Sequence, residues 1–274
     1  MNAPALRLGQ GQRTLESLLV GSSPQMAAVR STILSVADSD ATVLIRGESG
    51  TGKELAARTI HRLSKRAGRP FVVITRAAVP SRMLESELFG DDADPLGRGA
   101  RRQGRFVRAS GGTVFLDEAA NMSPRLEARI QRAQEERSLE GPGGELVAVD
   151  VRLIIATSTV SATSSEHSAQ IQEVGSAGED MRWRLAEMTI DLPPLHDRGN
   201  DVQELAEHFV THYAREFKRP TPRLAGATLD LLRDHDWPGN VRELRHAIER
   251  AVLLAESDTI LPADVRLKSD DLPC

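Results

Sequence analysis

Gly47-Glu48-Ser49-Gly50-Thr51-Gly52-Lys53-Glu54 decides how this chain is read. The run matches the phosphate-loop template G-x-x-x-x-G-K-[ST] at every position but the last, where Glu54 replaces the hydroxyl residue that would hold magnesium. Before it, Thr42-Val43-Leu44-Ile45-Arg46 reads as a buried strand, and after it Leu55-Ala56-Ala57-Arg58-Thr59-Ile60 reads as a helix. Strand, glycine loop and helix together aim backbone N–H groups and a positive helix end at an anion. Of 35 basic residues only Lys53, Lys65, Lys218 and Lys268 are lysines. A chain that otherwise uses arginine therefore keeps a compact ammonium where a phosphate would sit. The run implies that the chain binds a nucleotide.

The 274 residues suffice for one large domain and a small one. At 40% hydrophobic, 27% charged and a net charge of −4, the chain has no global attraction to nucleic acid or acidic membranes. Its single cysteine, Cys274, leaves no internal disulfide and points to a reducing compartment. Met1 to Gln12 is a short polar tail without a signal peptide, and no 18-residue apolar stretch follows. A cytoplasmic protein without a membrane partner is expected.

Outward from the loop, Ser23-Pro24 reads as a helix start, with Met26, Val29, Ile33 and Leu34 on one face up to Val36. Phe71-Val72-Val73-Ile74, Gly112 to Glu118 and Val149 to Ala156 read as further buried strands, and Ile190-Asp191-Leu192 as the end of a fifth. Strands alternating with helices predict an α/β fold, a three-layer core with a parallel sheet. From about Pro193 the pattern turns all-helical. Asn200-x-x-Gln203 reads as a capping box opening a helix to about Phe217; another helix covers Gly226 to His235. After the Pro238-Gly239 turn, Asn240-x-x-Glu243 reads as a second capping box, with Val241, Leu244, Ile248 and Val252 striping a helix that ends near Glu256. The expected division is a flexible tail over 1–14, an α/β nucleotide-binding core over 15–195, a small helical lid over 196–265 and a tail over 266–274. Gly90 to Gly104 and the Ser/Thr/Gly-rich Ser158 to Gly178 read as irregular, the latter as a mobile loop. Arginines 98, 101, 102, 105 and 108 make either a solvated face or a local anion patch.

The strand ending Leu116-Asp117-Glu118 puts two carboxylates at the sheet edge where ligands bind in open α/β folds. Asp117 is placed to hold Mg2+ through water, and Glu118 to orient or deprotonate an attacking water. Trp237 to Leu244 reads as a tight turn with a capped helix, and in the sharper reading Arg242, near the helix start, points back at the phosphates. The seven histidines show no metal-ligand spacing, and no nucleophile elbow is present.

Taken together, these motifs resemble the AAA+ domain of sigma-54-dependent transcription activators, the bacterial enhancer-binding proteins, from about Leu19 to Val265. Gly47 to Glu54 is that family's own version of the loop, and Leu84-Glu85-Ser86-Glu87-Leu88-Phe89-Gly90, Gly111 to Glu118, Leu192-Pro193-Pro194-Leu195 and Trp237 to Leu244 look like its signatures. The resemblance implies ATP and Mg2+ as ligands, with Gly47, Glu48, Ser49, Gly50, Thr51, Gly52, Lys53 and Glu54 around the phosphates. It puts adenine at Val20-Gly21, sensor I at Thr157 with Ser158, and the sensor II arginine at Arg242. It also implies ring hexamers that hydrolyse ATP to remodel RNA polymerase carrying sigma-54.

Four departures bear on function. The family's pore loop, Gly-Ala-Phe-Thr-Gly-Ala, aligns with Pro95-Leu96-Gly97-Arg98-Gly99-Ala100, which lacks the aromatic anchor. The Asn that restrains the catalytic glutamate is replaced by Thr75, which has a shorter reach to Glu118. The first arginine used in trans aligns with Gly178, while the second survives as Arg184, with Arg182 nearby; such an arginine contributes about 10³–10⁵ in rate. Only Arg266 to Cys274 follows the lid, so no DNA-binding helix-turn-helix module is expected in this chain. Two main readings follow: a homo-oligomeric ATPase acting on sigma-54 polymerase, or a hydrolysis-impaired nucleotide sensor acting independently of sigma-54 or with an intact paralogue. A general chaperone-like AAA+ ATPase is a third.

Overall fold

Four short apolar segments and one half-exposed one make the central sheet: β1 (Val43–Arg46), β2 (Phe71–Thr75), β3 (Thr113–Asp117), β4 (Arg152–Thr157) and β5 (Met188–Asp191). All pairs are parallel, in the order β2-β3-β4-β1-β5. A computed structural model describes residues 15–16, 18–75, 81–91, 102–118, 123–140, 145–158 and 186–267. β4 is buried at every residue and β3 at all but Asp117, as strands covered on both faces must be. β5, at the edge, buries only Ile190.

The described residues divide into two units: a sheet unit spanning Thr32–Arg46 and Lys53–Asp191, and a helical unit comprising the chain before Thr32, Gly47–Gly52 and the chain from Leu192 on. In the sheet unit, α2 (Lys53–Leu63) packs against β1, β3 and β4. α3 (Ser81–Phe89) and α4 (Pro124–Glu135) contribute Leu84, Leu88, Phe89, Leu126 and Ile130 to one core with Leu44, Ile74, Val114, Leu116, Leu153 and Ile155. These strand residues alternate along their strands, so they share one sheet face. The helix α1 (Pro24–Ala37) begins at Ser23, whose Oγ accepts from the Met26 amide at 3.4 Å. Fully buried Arg152 donates to the carbonyls of Val36 and Ala37 at 2.6 and 2.7 Å, satisfying groups that the helix end leaves open.

The helical unit holds α5 (Asp201–Glu216), α6 (Gly226–Asp234) and α7 (Asn240–Leu254), with a two-stranded parallel pair, Arg223–Leu224 and Thr259–Ile260. Their core surrounds Trp237, fully buried, whose indole N–H donates to the Leu232 carbonyl at 2.8 Å. Leu244, Ile248 and Val252 line it as the stripe predicts, while Val241 is only partly buried.

Several expectations need correction. The expected strand from Val149 starts only at Arg152 and runs to Thr157, because the Val149 amide instead donates to the Arg137 carbonyl at 2.8 Å, continuing a separate antiparallel hairpin of Ser138–Glu140 with Leu146–Ala148. Asn200 makes no side-chain cap, since its own backbone is already helical. The cap of α7 is Gly239 rather than Asn240; Glu243 still reaches back, accepting from the Gly239 amide at 2.7 Å. Within Gly90 to Gly104, Gly90–Asp91 pairs with Arg102–Gln103, so that segment is not wholly irregular. No helix among the described residues is long and apolar enough to cross a membrane.

Candidate nucleotide site

In the sheet unit, strands β3, β4 and β1 are neighbours, so the residues at their carboxyl ends share one edge. Lys53 opens α2 and is buried; its Nζ donates to Ser158 Oγ at 2.6 Å and lies 3.8 Å from Glu118 Oε1. Ser158, immediately after β4, in turn donates its hydroxyl to Glu118 Oε1. One hydroxyl thus accepts from the cation and donates to the anion, making a Lys53–Ser158–Glu118 chain. Glu118 sits at φ +57°, a conformation rare outside glycine and common at functional sites. Burial, and secondly the neighbouring Glu118 charge, push the Asp117 carboxyl above its usual range, with Lys53 opposing. A divalent cation beside the Asp117 carboxyl would offset both causes, so that carboxyl fits a magnesium site built from few protein ligands. Among the described residues no group of three or more metal-binding side chains occurs.

Thr75 pairs in register with Asp117, yet it makes no hydrogen bond to Glu118 among the described residues; the Glu118 carboxylate accepts from the Ser158 hydroxyl. Thr157 is the last residue of β4 and almost fully buried, leaving Ser158 as the side chain that reaches the carboxylate. Glu54 pairs with Arg58 one turn on at 2.7 Å. Arg105 is spent on Glu87 and on the Val73 carbonyl, so it adds nothing to an anion patch. Arg184, Arg182, Gly178 and the Pro95–Ala100 stretch lie outside the described residues, as do Arg98 and Arg101.

In the helical unit the loop Gly47–Gly52 is held from outside by side chains far away in sequence. Asn240, fully buried at φ +52°, donates to Glu48 Oε2 at 2.9 Å and the Ser49 carbonyl at 3.1 Å, and accepts from the Leu195 amide at 2.7 Å. The Arg242 amide donates to the Gly50 carbonyl at 3.2 Å, and its guanidinium to Ser49 Oγ at 3.0 Å. Buried Thr51 donates its hydroxyl to the Glu48 carbonyl at 2.9 Å, closing the loop on itself. Gly50 sits at φ +85°, and a Cβ there would stand 2.2 Å from the Gly239 carbonyl oxygen. Gly52, at φ +104°, has open space beside it. The amides of Ser49, Gly50 and Gly52 donate to no partner among the described residues, the open N–H array that a phosphate group requires. Gly47 packs beside Leu192; Val20 packs against the helical core, and Gly21 follows at φ +132°.

A family model described as the Sigma-54 interaction domain matches residues 19–191, and one described as the AAA+ ATPase lid domain matches residues 196–271. The chain belongs to the sigma-54 interaction domain family. Among curated relatives of this family, the transcriptional regulatory protein ZraR of Klebsiella oxytoca is 44% identical over 260 residues, covering 93% of this chain and 56% of that protein. The response regulator protein PilR of Pseudomonas aeruginosa is 40% identical over 272 residues, covering 97% and 59%. The structure of NtrX from Brucella abortus in complex with ATP superposes with a TM-score of 0.79 at 31% identity, covering 99% of this chain and 60% of that one. The chain thus spans somewhat more than half the length of the relatives it matches.

Asn240, Arg198, Asp201 and Ser158 are the residues that sequence reasoning underused. Asn240 carried a signal in its Pro-Gly-Asn context, read there as a cap; an Asn after a turn also tolerates positive φ. Arg198 and Asp201 gave no local signal, because the Thr51 and Ser23 groups they hold are more than a hundred residues away.

Proposed function

We propose that this chain binds ATP with Mg2+ and hydrolyses it to ADP and phosphate, working as a ring of like subunits that remodels RNA polymerase carrying sigma-54. The observation that carries the reading is the Lys53–Ser158–Glu118 chain beside Asp117, a cation, a hydroxyl and two carboxylates at one sheet edge. The loop amides and Lys53 hold the phosphates, the backbone at Val20 and Gly21 receives adenine, and Arg242 lies on the loop through Ser49. Bound at Asp117, magnesium would neutralise phosphate charge and orient the phosphate oxygens.

Glu118 uses only Oε1 for Ser158 and Lys53, and its side chain is 40% exposed, so Oε2 is open to a water. From that oxygen Glu118 orients the water and accepts its proton. Ser158 bridges the glutamate and Lys53, so both stay at the sheet edge where the phosphate chemistry is proposed. The neighbouring subunit's contribution falls to Arg184, with Arg182 as its helper.

Titrating ATP into the Glu118→Gln variant tests the assignment: binding should persist while phosphate release stops. Equal turnover in variant and wild type would contradict it. A second reading, a hydrolysis-impaired sensor that pairs with an intact paralogue or acts apart from sigma-54, draws on Gly178 and Pro95–Ala100 in the sequence. Activation of a sigma-54 promoter by this chain alone would exclude it.

A further inference from the structure

The segment carrying Val20 and Gly21 is fixed by side chains of its own unit. Asp201, fully buried at the start of α5, accepts from Ser23 twice, from the amide at 2.8 Å and from the hydroxyl at 2.7 Å. Ser22 donates its hydroxyl to Glu204. Arg30 donates to the carbonyls of Leu19 and Gly21 at 3.1 and 2.5 Å. Gly21 passes so close that a Cβ there would stand 2.3 Å from Asp201 Oδ2. The amide and carbonyl of Val20, between these anchored residues, enter no hydrogen bond among the described residues and remain available.

Arg198 lies in the short helical turn Leu195–Arg198 just before α5 and is almost fully buried. It donates to the Thr51 carbonyl at 3.2 Å and, through two nitrogens, to the Pro193 carbonyl at 3.0 and 2.9 Å. Burial lowers its pKa to about 10 while the Asp201 charge opposes, so the guanidinium stays cationic at neutral pH. Leaving either charge without its partners would be costly at such burial. Two buried ionic groups, three residues apart, therefore tie down two segments that the sequence separates: the phosphate loop at Thr51 and the irregular segment at Gly21–Ser23.

We propose that Arg198 and Asp201 are positioning residues for the nucleotide: Arg198 fixes the phosphate loop, Asp201 fixes the backbone that receives the base, and the short stretch between them sets the spacing of the two subsites. This assignment rests on the placement of adenine at Val20–Gly21 proposed above. It makes Asp201 matter for a triphosphate that carries a base and not for one without, whereas Arg198 matters for both.

The test is a pair of dissociation constants, for ATP and for inorganic tripolyphosphate, measured on the full chain and on three variants. Asp201→Asn should weaken ATP about fivefold to tenfold, the worth of one ordinary hydrogen bond, and leave tripolyphosphate unchanged. Gly21→Ala, which drives a methyl into the same carboxylate, should shift the ratio in the same direction. Arg198→Lys, which keeps the charge but loses the fork, should weaken both ligands by one factor. If Asp201→Asn unfolds the chain, Gly21→Ala still decides the matter. Wild type preferring ATP, with both Asp201→Asn and Gly21→Ala keeping that preference, would overturn the assignment of Asp201 alone. Wild type binding tripolyphosphate as tightly as ATP would remove the base subsite, and the assignment with it.

Discussion

The two units use their buried polar side chains in opposite ways. In the sheet unit, Lys53, Ser158 and Glu118 bond to one another, and Asp117 is left with a carboxyl that burial and a like charge make uncomfortable. In the helical unit, Asn240, Arg198 and Asp201 spend their capacity largely on main-chain groups: the Ser49, Thr51 and Pro193 carbonyls and the Leu195 and Ser23 amides. Side chains that face one another can change partners when a ligand arrives. Those bound to backbone hold it still. The comparison separates groups poised for chemistry from groups that set geometry.

Glu118→Gln should break the chemistry most sharply. Phosphate release is expected to fall by about 10²–10⁴, the usual worth of a positioned base, with ATP affinity and melting temperature unchanged. A large loss of stability would show that Glu118 holds structure after all. Trp237→Ala is its counterpart in the helical unit. Removing a fully buried indole should cost about 3–5 kcal/mol in denaturant unfolding. Lys53→Ala should weaken ATP about 10- to 100-fold by titration, because a charge-assisted contact to phosphate is lost. Asn240→Ala leaves the Leu195 amide and the Ser49 carbonyl without their partner and should cost about 1–3 kcal/mol, read by the same unfolding curves.

The smallest effect is a pH dependence. His61, bonded through Nδ1 to Thr113 Oγ1 at 2.9 Å, is held below its ordinary 6.5 chiefly by burial. The unfolded chain takes up a proton near pH 6.5 that the folded one resists, so stability falls as pH drops below that value. Melting curves should shift down between pH 7.5 and 5.5, and less so in His61→Gln. Asp117 works in the other direction. Its raised pKa means that the folded form keeps a proton which the unfolded form has lost, so its contribution weakens as pH rises above the ordinary carboxylate range. Asp117→Asn should therefore melt higher than wild type at neutral pH without nucleotide.

The same contrast explains what the sequence made legible. The glycine run, the apolar strands and the Asp117-Glu118 pair are local patterns dictated by a buried parallel sheet and a phosphate cradle, and the structure has them as the spacing implies. The hairpin of Ser138–Glu140 with Leu146–Ala148 was hidden because three-residue strands carry too little periodicity. Asn240 was misread as a cap because a short polar side chain after a turn fits either role, and only the third dimension brings Glu48 and Ser49 to it. Arg198 and Asp201 look like ordinary surface charges in sequence. Their burial depends on Thr51 and Ser23, partners that no local window contains.

Phosphate release from ATP across a series of protein concentrations, with Lys53→Ala as the blank, tests the central claim most directly. Turnover that rises cooperatively with concentration and vanishes in the variant is the predicted result, since each site would be completed by a neighbouring subunit. Tight ATP binding with no release above the blank at any concentration would contradict it.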